Sequence, residues 1–160
     1  MAYFKITYES LAEIRSRLEK FKFDCEWEID KQIRDGIREQ KKERDRDLSE
    51  GNYTETSIYD YYNKEVEKLE EWGKNSKNKI ANHCYKCFNA IKELETKRFT
   101  EADYGWMYIL DLHEGELRRE VQFEDKDAVY IRSDDLFWEI DGVDIHLETE
   151  SPQFGDWQDD

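Results

Sequence analysis

The chain has 160 residues, of which 41% are charged and 38% hydrophobic, and its formal net charge at pH 7 is −15. This length fits one compact domain, and the aromatic content of 14% argues against simple disorder, because disordered acidic chains contain few aromatic residues. No N-terminal apolar run and no stretch of about 18 apolar residues is present, so we expect neither a signal peptide nor a membrane span. Three cysteines, an odd number, indicate reduced thiols and a cytoplasmic location.

The charge is unevenly distributed along the chain. Residues 101–160 contain 19 acidic and 4 basic residues, a net charge of −15, whereas residues 1–100 contain 21 of each. A strongly acidic region repels nucleic acid and anionic lipid but attracts basic proteins, many of which bind nucleic acid. We therefore expect residues 101–160 to contact a basic protein, without direct contact to nucleic acid or a membrane.

The first hundred residues predict a short strand and a helical hairpin. Residues 2–8 alternate apolar and polar positions, which is typical of a strand that could join a later sheet. A helix follows from about residue 9 to about residue 48, with Phe23 and Trp27 expected to widen its apolar face. Its seam has the alternating three- and four-residue spacing of a coiled coil: Leu11, Ile14, Leu18, Phe21 and Cys25.

The last third of this helix is highly charged. Residues 38–47 contain no apolar residue, and residues 31–46 contain seven bases and four acids. A helix without an apolar face cannot pack along its length, so we expect this end to project into solvent. Two interpretations stay open, a surface that contacts nucleic acid or an acidic partner, and a solvated helix end with internal ion pairs. The basic residues concerned are Arg38, Lys41, Lys42 and Arg44.

A second helical pattern begins near Thr54 to Ser57 and runs to about Arg98, with a kink or a break near Gly73 as alternatives. A turn near Asn52 makes the two helices antiparallel. The apolar halves then coincide far from the loop, and the charged end of the first helix lies beside a tyrosine-rich segment: Ile58, Tyr59, Tyr61 and Tyr62.

From Tyr104 the apolar period changes from helical to two residues, which predicts an antiparallel β-meander. The fold class is therefore α+β, with residues 1–100 forming the strand and hairpin and residues 101–160 the acidic β module of one compact domain. The predicted strands are 104–112, 117–123, 128–132, 136–140 and 143–148. Phe154 and Trp157 in the tail are candidates to anchor it to the body.

The strongest local signal is the sequence FWEI-DG-VDIHL, which predicts a two-residue type I′ hairpin turn at Asp141-Gly142. The apolar pairs expected on one face are Ile140 with Val143, Trp138 with Ile145, and Leu136 with Leu147. The other face and the neighbouring turns supply the residues that we expect to bind a partner: Asp134, Asp135, Phe137, Glu139, Asp141, Asp144, His146 and Glu148.

The sequence contains no catalytic motif that we can identify, and we expect neither enzymatic activity nor a cofactor. His83, Cys84 and Cys87 have the spacing of half a zinc site, but no second ligand pair follows, and His113 and His146 are isolated in sequence. Cys84 and Cys87 also lie on the helical seam, where cysteine behaves as a small apolar residue. Core cysteines are therefore favoured over a metal or redox site.

These patterns favour an acidic inhibitor that occupies a basic nucleic-acid-binding surface in the manner of a DNA mimic. In composition the chain is similar to the small acidic phage proteins that disarm restriction or CRISPR effectors, which would place it in the cytoplasm of a bacterial host. One alternative is an immunity or antitoxin protein that caps a toxin nuclease. Another is a coiled-coil adaptor or structural protein that forms a homodimer through its helical hairpin, and the least favoured is a metal- or thiol-dependent enzyme.

Overall fold

The computed structural model describes residues 2–6, 8–121, 124, 129–149 and 155–159. Among these residues, two long helices follow a short N-terminal strand and precede six further short strands, which confirms the α+β class. Two compact units are present, one formed by Met1–Phe23 with Ala81–Asp160 and the other by Asp24–Ile80. The expected division at residue 100 follows the change in secondary structure. The boundary between the compact units instead falls within each helix, after Phe23 in the first and after Ile80 in the second.

The helices are α1, Tyr8–Glu50, and α2, Glu55–Thr96. The backbone N–H of Ser57 donates to Oγ1 of Thr54 at 3.2 Å, so Thr54 caps α2 within the segment where the sequence predicted its start. α2 continues through Gly73 as one helix, which excludes the break that the sequence left open. Neither helix, in the residues that the structure describes, is long and apolar enough to cross a bilayer.

In the unit formed by Asp24–Ile80, two glycines allow close approach of the helices. A Cβ atom at Gly73 would overlap Cδ1 of Ile33, and one at Gly36 would lie 2.8 Å from Cδ1 of Leu69. These contacts pair α1 with α2 in the antiparallel sense expected from a turn near Asn52. A side chain at either position would require its neighbour to move, so the glycines are sites of helix contact rather than helix breaks.

In the other unit, the predicted seam of α1 and its partner on α2 are both buried. Arg15 of α1 forms an ion pair with Glu95 of α2, which fixes the antiparallel register there. The helix residues of this unit that are at most 5% exposed are Leu11, Ile14, Leu18, Phe21, Cys84, Cys87, Ala90, Ile91 and Leu94.

The expectation that Phe23 and Trp27 widen the apolar face of α1 is wrong. Phe23 is 65% exposed and Trp27 is 51% exposed. Both lie off the seam that carries Phe21 and Cys25, and the helical period turns them toward solvent. Two large aromatic rings one helical turn apart are therefore available on the surface of α1.

Seven strands are present among the described residues: β1 Ala2–Ile6, β2 Trp106–Asp111, β3 Glu116–Val121, β4 Tyr130–Asp134, β5 Leu136–Ile140, β6 Val143–Leu147 and β7 Gly155–Asp159. They form a three-stranded sheet in the order β3-β2-β4 and two two-stranded ribbons, β5-β6 and β1-β7. The β5-β6 pair is antiparallel as predicted, and so is β2-β3.

One strand departs from a simple meander, because β4 pairs with β2 in parallel instead of with β3. β2 supplies the most buried residues of the sheet, Tyr108, Ile109 and Leu110, and a strand buried on both faces takes the central place. β3 carries Arg118, Arg119 and flanking glutamates, and charged residues suit an edge strand. β4 therefore occupies the free side of β2.

The N-terminal strand pairs with the C-terminal strand rather than adding to the larger sheet. β1 and β7 are antiparallel, with Phe4 opposite Trp157, and β1 also contacts β4. The tail is thus held by backbone pairing through β7. Phe154, the other predicted tail anchor, lies outside the described residues.

Candidate functional site

The β5-β6 hairpin forms with the predicted turn and register. Asp141 has φ 45° and Gly142 has φ 88°, and positive φ at both central residues defines a type I′ turn. The cross-strand pairs are Ile140 with Val143, Trp138 with Ile145, and Leu136 with Leu147, as the sequence predicted.

The hairpin separates an apolar face from an exposed polar face. Leu136, Ile140 and Leu147 are buried, and Trp138 lies with its ring centroid 5.1 Å from that of His83 on α2. The opposite side chains point to solvent because strand residues alternate between faces. We define the acidic hairpin face as Phe137, Glu139, Asp141, Asp144, His146 and Glu148, all of which are exposed.

The acidic hairpin face carries negative charge that no basic side chain among the described residues neutralises. Glu139 and Asp144 lie directly opposite each other on β5 and β6. Within the described part of the chain, no side chain forms an ion pair with either of them, or with Asp141 or Glu148. Like charges in opposed positions repel, so the arrangement costs stability and concentrates negative potential at the surface.

An exposed aromatic ring lies at the centre of this face. Phe137 is 50% exposed, and its ring stacks on His146 with a centroid distance of 5.7 Å. His113, from the turn after β2, stacks on it at 5.8 Å. The two histidines that are isolated in sequence therefore meet the same ring. Nothing in the local sequence links His113 to the hairpin, because their proximity depends on how the turn after β2 packs against β5.

Two of the expected partner-binding residues have internal roles. Asp134 accepts a hydrogen bond from Nε of Arg132 at 3.0 Å and lies 3.9 Å from Arg118. Oδ1 of Asp135 accepts from the backbone N–H of Thr149 at 2.7 Å and from its hydroxyl at 2.9 Å. Asp134 is thus largely neutralised, and Asp135 holds the chain that leaves β6.

The His83-Cys84-Cys87 segment joins α2 to the end of β2. Nε2 of His83 lies 2.8 Å from the carbonyl oxygen of Leu112, and the Cys87 thiol donates to the same oxygen at 3.2 Å. Burial raises the pKa of Cys87 to about 12, with the nearby Cys84 and Asp111 adding to the shift. In the described part of the chain, no three His, Cys, Asp or Glu side chains are placed to hold a metal ion. The geometry supports the interpretation as core cysteines.

A second cluster of ionisable groups surrounds the buried carboxylate of Asp103. The Tyr108 hydroxyl donates to its Oδ1 at 2.5 Å, and the Thr100 backbone N–H donates to its Oδ2 at 2.8 Å. Burial alone would raise the pKa of Asp103, but these hydrogen bonds and the charges of Lys97 and Arg119 lower it. Burial and the bond to Asp103 raise the pKa of Tyr108. These groups fix the turn before β2.

The predicted basic tip of the hairpin is extensively ion-paired. Arg38 lies 3.6 Å from Asp35, Lys42 lies 3.5 Å from Glu39, and Arg44 lies 3.2 Å from Asp45. Lys41 is exposed. Residues 38–64 together contain six bases and seven acids. Three of the four predicted basic residues are thus ion-paired within α1, which favours the solvated interpretation over a nucleic-acid-binding surface.

Arg44 also packs against the tyrosines predicted to face it. Its guanidinium carbon lies 4.7 Å from the ring centroid of Tyr62 and 5.8 Å from that of Tyr59. Such cation–π contacts hold the ends of α1 and α2 together in the Asp24–Ile80 unit. The pairing of the charged helix end with the tyrosine-rich segment is confirmed.

No family model, curated protein or solved structure matches the chain.

Proposed function

We propose that this protein is a non-enzymatic inhibitor whose acidic hairpin face occupies a basic, nucleic-acid-binding surface of a partner protein. The observation that carries the proposal is the opposed pair Glu139 and Asp144, exposed and without an internal counter-ion among the described residues. Such a pair costs folding stability, and a basic partner would offset that cost.

The spacing of charge on the hairpin suits a surface shaped for a nucleic-acid backbone. Carboxylates on alternate strand positions recur about every 7 Å, and adjacent strands lie about 4.8 Å apart. On the hairpin, Glu139 and Asp144 supply one such pair of carboxylates across the two strands, and Phe137 and His146 take the next pair of positions on the same face. Exposed aromatic residues supply binding energy that surface charge alone does not, and Phe137 is placed for that role. The partner would be a nuclease or another nucleic-acid-binding effector in the cytoplasm of a bacterial host.

An immunity or antitoxin protein that caps a toxin nuclease would use the same charge and is one alternative class of inhibitor. A second candidate is a homodimeric adaptor, which the exposed rings of Phe23 and Trp27 favour. A dimer through α1 would bury these rings, whereas the acidic hairpin face would play no part. The two candidate functions therefore predict that different substitutions disrupt binding.

Competition with duplex DNA for basic proteins tests the proposal. The immobilised protein is incubated with the heparin-binding fraction of a bacterial lysate, and captured proteins are eluted with duplex DNA or with rising salt. We expect duplex DNA to displace the specific partner. We also expect the amount of captured protein to decrease steeply with ionic strength, because salt screens exposed charges. The triple variant Glu139→Lys, Asp144→Lys and Glu148→Lys should lose capture.

The matched control reverses three exposed glutamates of α2, Glu67, Glu70 and Glu71, and changes net charge by the same amount. Capture by this control should persist. If both triple variants lose capture equally, net charge alone explains binding, and the proposal of a defined binding face is contradicted. If capture instead depends on Phe23 and Trp27 and light scattering shows a dimer, the adaptor function replaces the inhibitor.

A further inference from the structure

A cavity of about 280 Å³ lies at the loop end of the helical hairpin, within the Asp24–Ile80 unit. α1 contributes Glu43 and Asp47, the connecting loop contributes Tyr53, and the first turns of α2 contribute the rest. Gly51, with φ 70°, donates its N–H to the carbonyl oxygen of Asp47 at 3.1 Å and fixes the loop beside it. The lining residues are Glu43, Asp47, Tyr53, Ser57, Ile58 and Tyr61.

The charge of this cavity is opposite to that predicted for the hairpin tip. Glu43 and Asp47 are its only charged residues, and none of the six described lining residues is basic. On the same helix Glu39 and Asp45 are ion-paired, whereas no described residue pairs with Glu43 or Asp47. Two like charges one helical turn apart destabilise a helix, so a cation between them would relieve the repulsion.

The remaining walls suit an organic cation rather than a hydrated metal ion. Ile58 is only 6% exposed and forms an apolar floor, while Tyr53 and Tyr61 have exposed aromatic rings. Aromatic faces attract ammonium groups through their quadrupole, and tyrosine-lined cages bind alkylated ammonium in this way. Alkyl groups on the nitrogen would contact the floor and rings, and the positive charge would face the carboxylates.

We propose that this cavity is a binding site for a small alkylated ammonium group, with Tyr53 and Tyr61 as aromatic walls and Glu43 and Asp47 as counter-ions. The site is separate from the acidic hairpin face and does not depend on the inhibitor function. It assigns a role to two carboxylates of α1 that have no ion-pair partner among the described residues.

Methyl NMR on the full chain tests the site. With isoleucine δ1-methyl groups labelled, the Ile58 signal is assigned through Ile58→Val and followed during titration with choline. We expect a saturable shift of that signal and no shift of Ile145, which lies on the hairpin. The uncharged isostere 3,3-dimethylbutan-1-ol should bind about tenfold more weakly, because it lacks the cation. A trimethyllysine amide, titrated in parallel, distinguishes a protein side chain from a free metabolite as the source of the ammonium group.

Three variants separate the site from general electrostatics. Glu43→Gln with Asp47→Asn, and separately Tyr61→Leu, should each weaken choline binding about tenfold while helical circular dichroism is retained. Glu39→Gln with Asp45→Asn removes the same charge from ion-paired positions outside the cavity and should leave binding unchanged. Equal affinity for the uncharged isostere, an absent choline shift, or equal weakening in both double variants would overturn the proposal.

Discussion

Glu139 on β5 lies directly opposite Asp144 on β6, and the two exposed carboxylates share one face of the hairpin. Opposed like charges destabilise a sheet, whereas a carboxylate beside basic side chains is neutralised. Asp134 illustrates the difference, because Arg132 and Arg118 both approach it. The hairpin thus retains a repulsion that a single neutral substitution would remove.

Glu139→Gln should therefore raise the free energy of unfolding by about 0.2–1 kcal/mol while it weakens capture of a basic partner. Urea denaturation of the purified variant measures the stability. The control Glu67→Gln, on the exposed surface of α2, should change stability by less than about 0.5 kcal/mol. A clear loss of stability in Glu139→Gln would show that this carboxylate has a stabilising contact.

Gly142→Ala should destabilise the hairpin by about 1–2 kcal/mol, because φ of 88° is unfavourable for a residue with a Cβ atom. The cost is conformational, since no atom lies within 4 Å of the position that a Cβ would occupy. Thermal or urea unfolding provides the measurement. Asp141→Asn is the control and should be neutral, because asparagine tolerates the left-handed conformation. A neutral Gly142→Ala would argue against the type I′ turn.

Gly73→Ala tests the helix contact in the Asp24–Ile80 unit. Alanine favours a helix over glycine by about 1 kcal/mol, but its Cβ would overlap Cδ1 of Ile33. In the native background we expect overpacking of about 1–3 kcal/mol to offset or exceed that gain. In an Ile33→Val background, which lacks Cδ1, the same change should be less destabilising. Equal effects of Gly73→Ala in both backgrounds, measured by urea denaturation, would contradict the contact.

Tyr108→Phe should lower stability at neutral pH by about 1.5–3 kcal/mol, because it removes a hydrogen bond to the buried carboxylate of Asp103. The folded pKa of Asp103 is lowered, so its stabilising contribution is present above the ordinary value of about 3.9 and is lost as pH falls through the folded pKa. In acid unfolding curves, the variant should therefore lose less stability than the native protein as the pH falls below about 4. Tyr85→Phe, at an exposed site, is the control and should behave as the native protein.

The thiols should be inert in the folded protein. Cys87 has a pKa of about 12, and Cys25 and Cys84 are also buried, so no reactive thiolate is accessible. Ellman's reagent at about pH 8 should react with none of the three until guanidinium chloride is added. Because the folded pKa of Cys87 is raised, stability should decrease as pH rises from about 8.5 towards 12. Rapid labelling of Cys87 in the native protein would contradict the burial.

Local sequence determined the elements that depend on near neighbours. The Asp141-Gly142 turn fixes the pairing of Leu136 with Leu147, because a two-residue loop leaves one register that keeps apolar residues on one face. The seam from Leu11 to Phe21 likewise identified the buried side of α1. In both cases the repeat of apolar residues over a few positions is enough to identify the buried face.

Only the tertiary structure decided which distant segments meet. β4 lies parallel to β2, β1 pairs with β7, and His113 stacks on Phe137, although no local pattern links these segments. Long-range pairing depends on which surfaces remain unpaired once the core has formed. The same is true of ion pairing, because composition gives only the number of carboxylates. The fold shows that Asp134 is ion-paired. Four other carboxylates have no such partner among the described residues: Glu43, Asp47, Glu139 and Asp144.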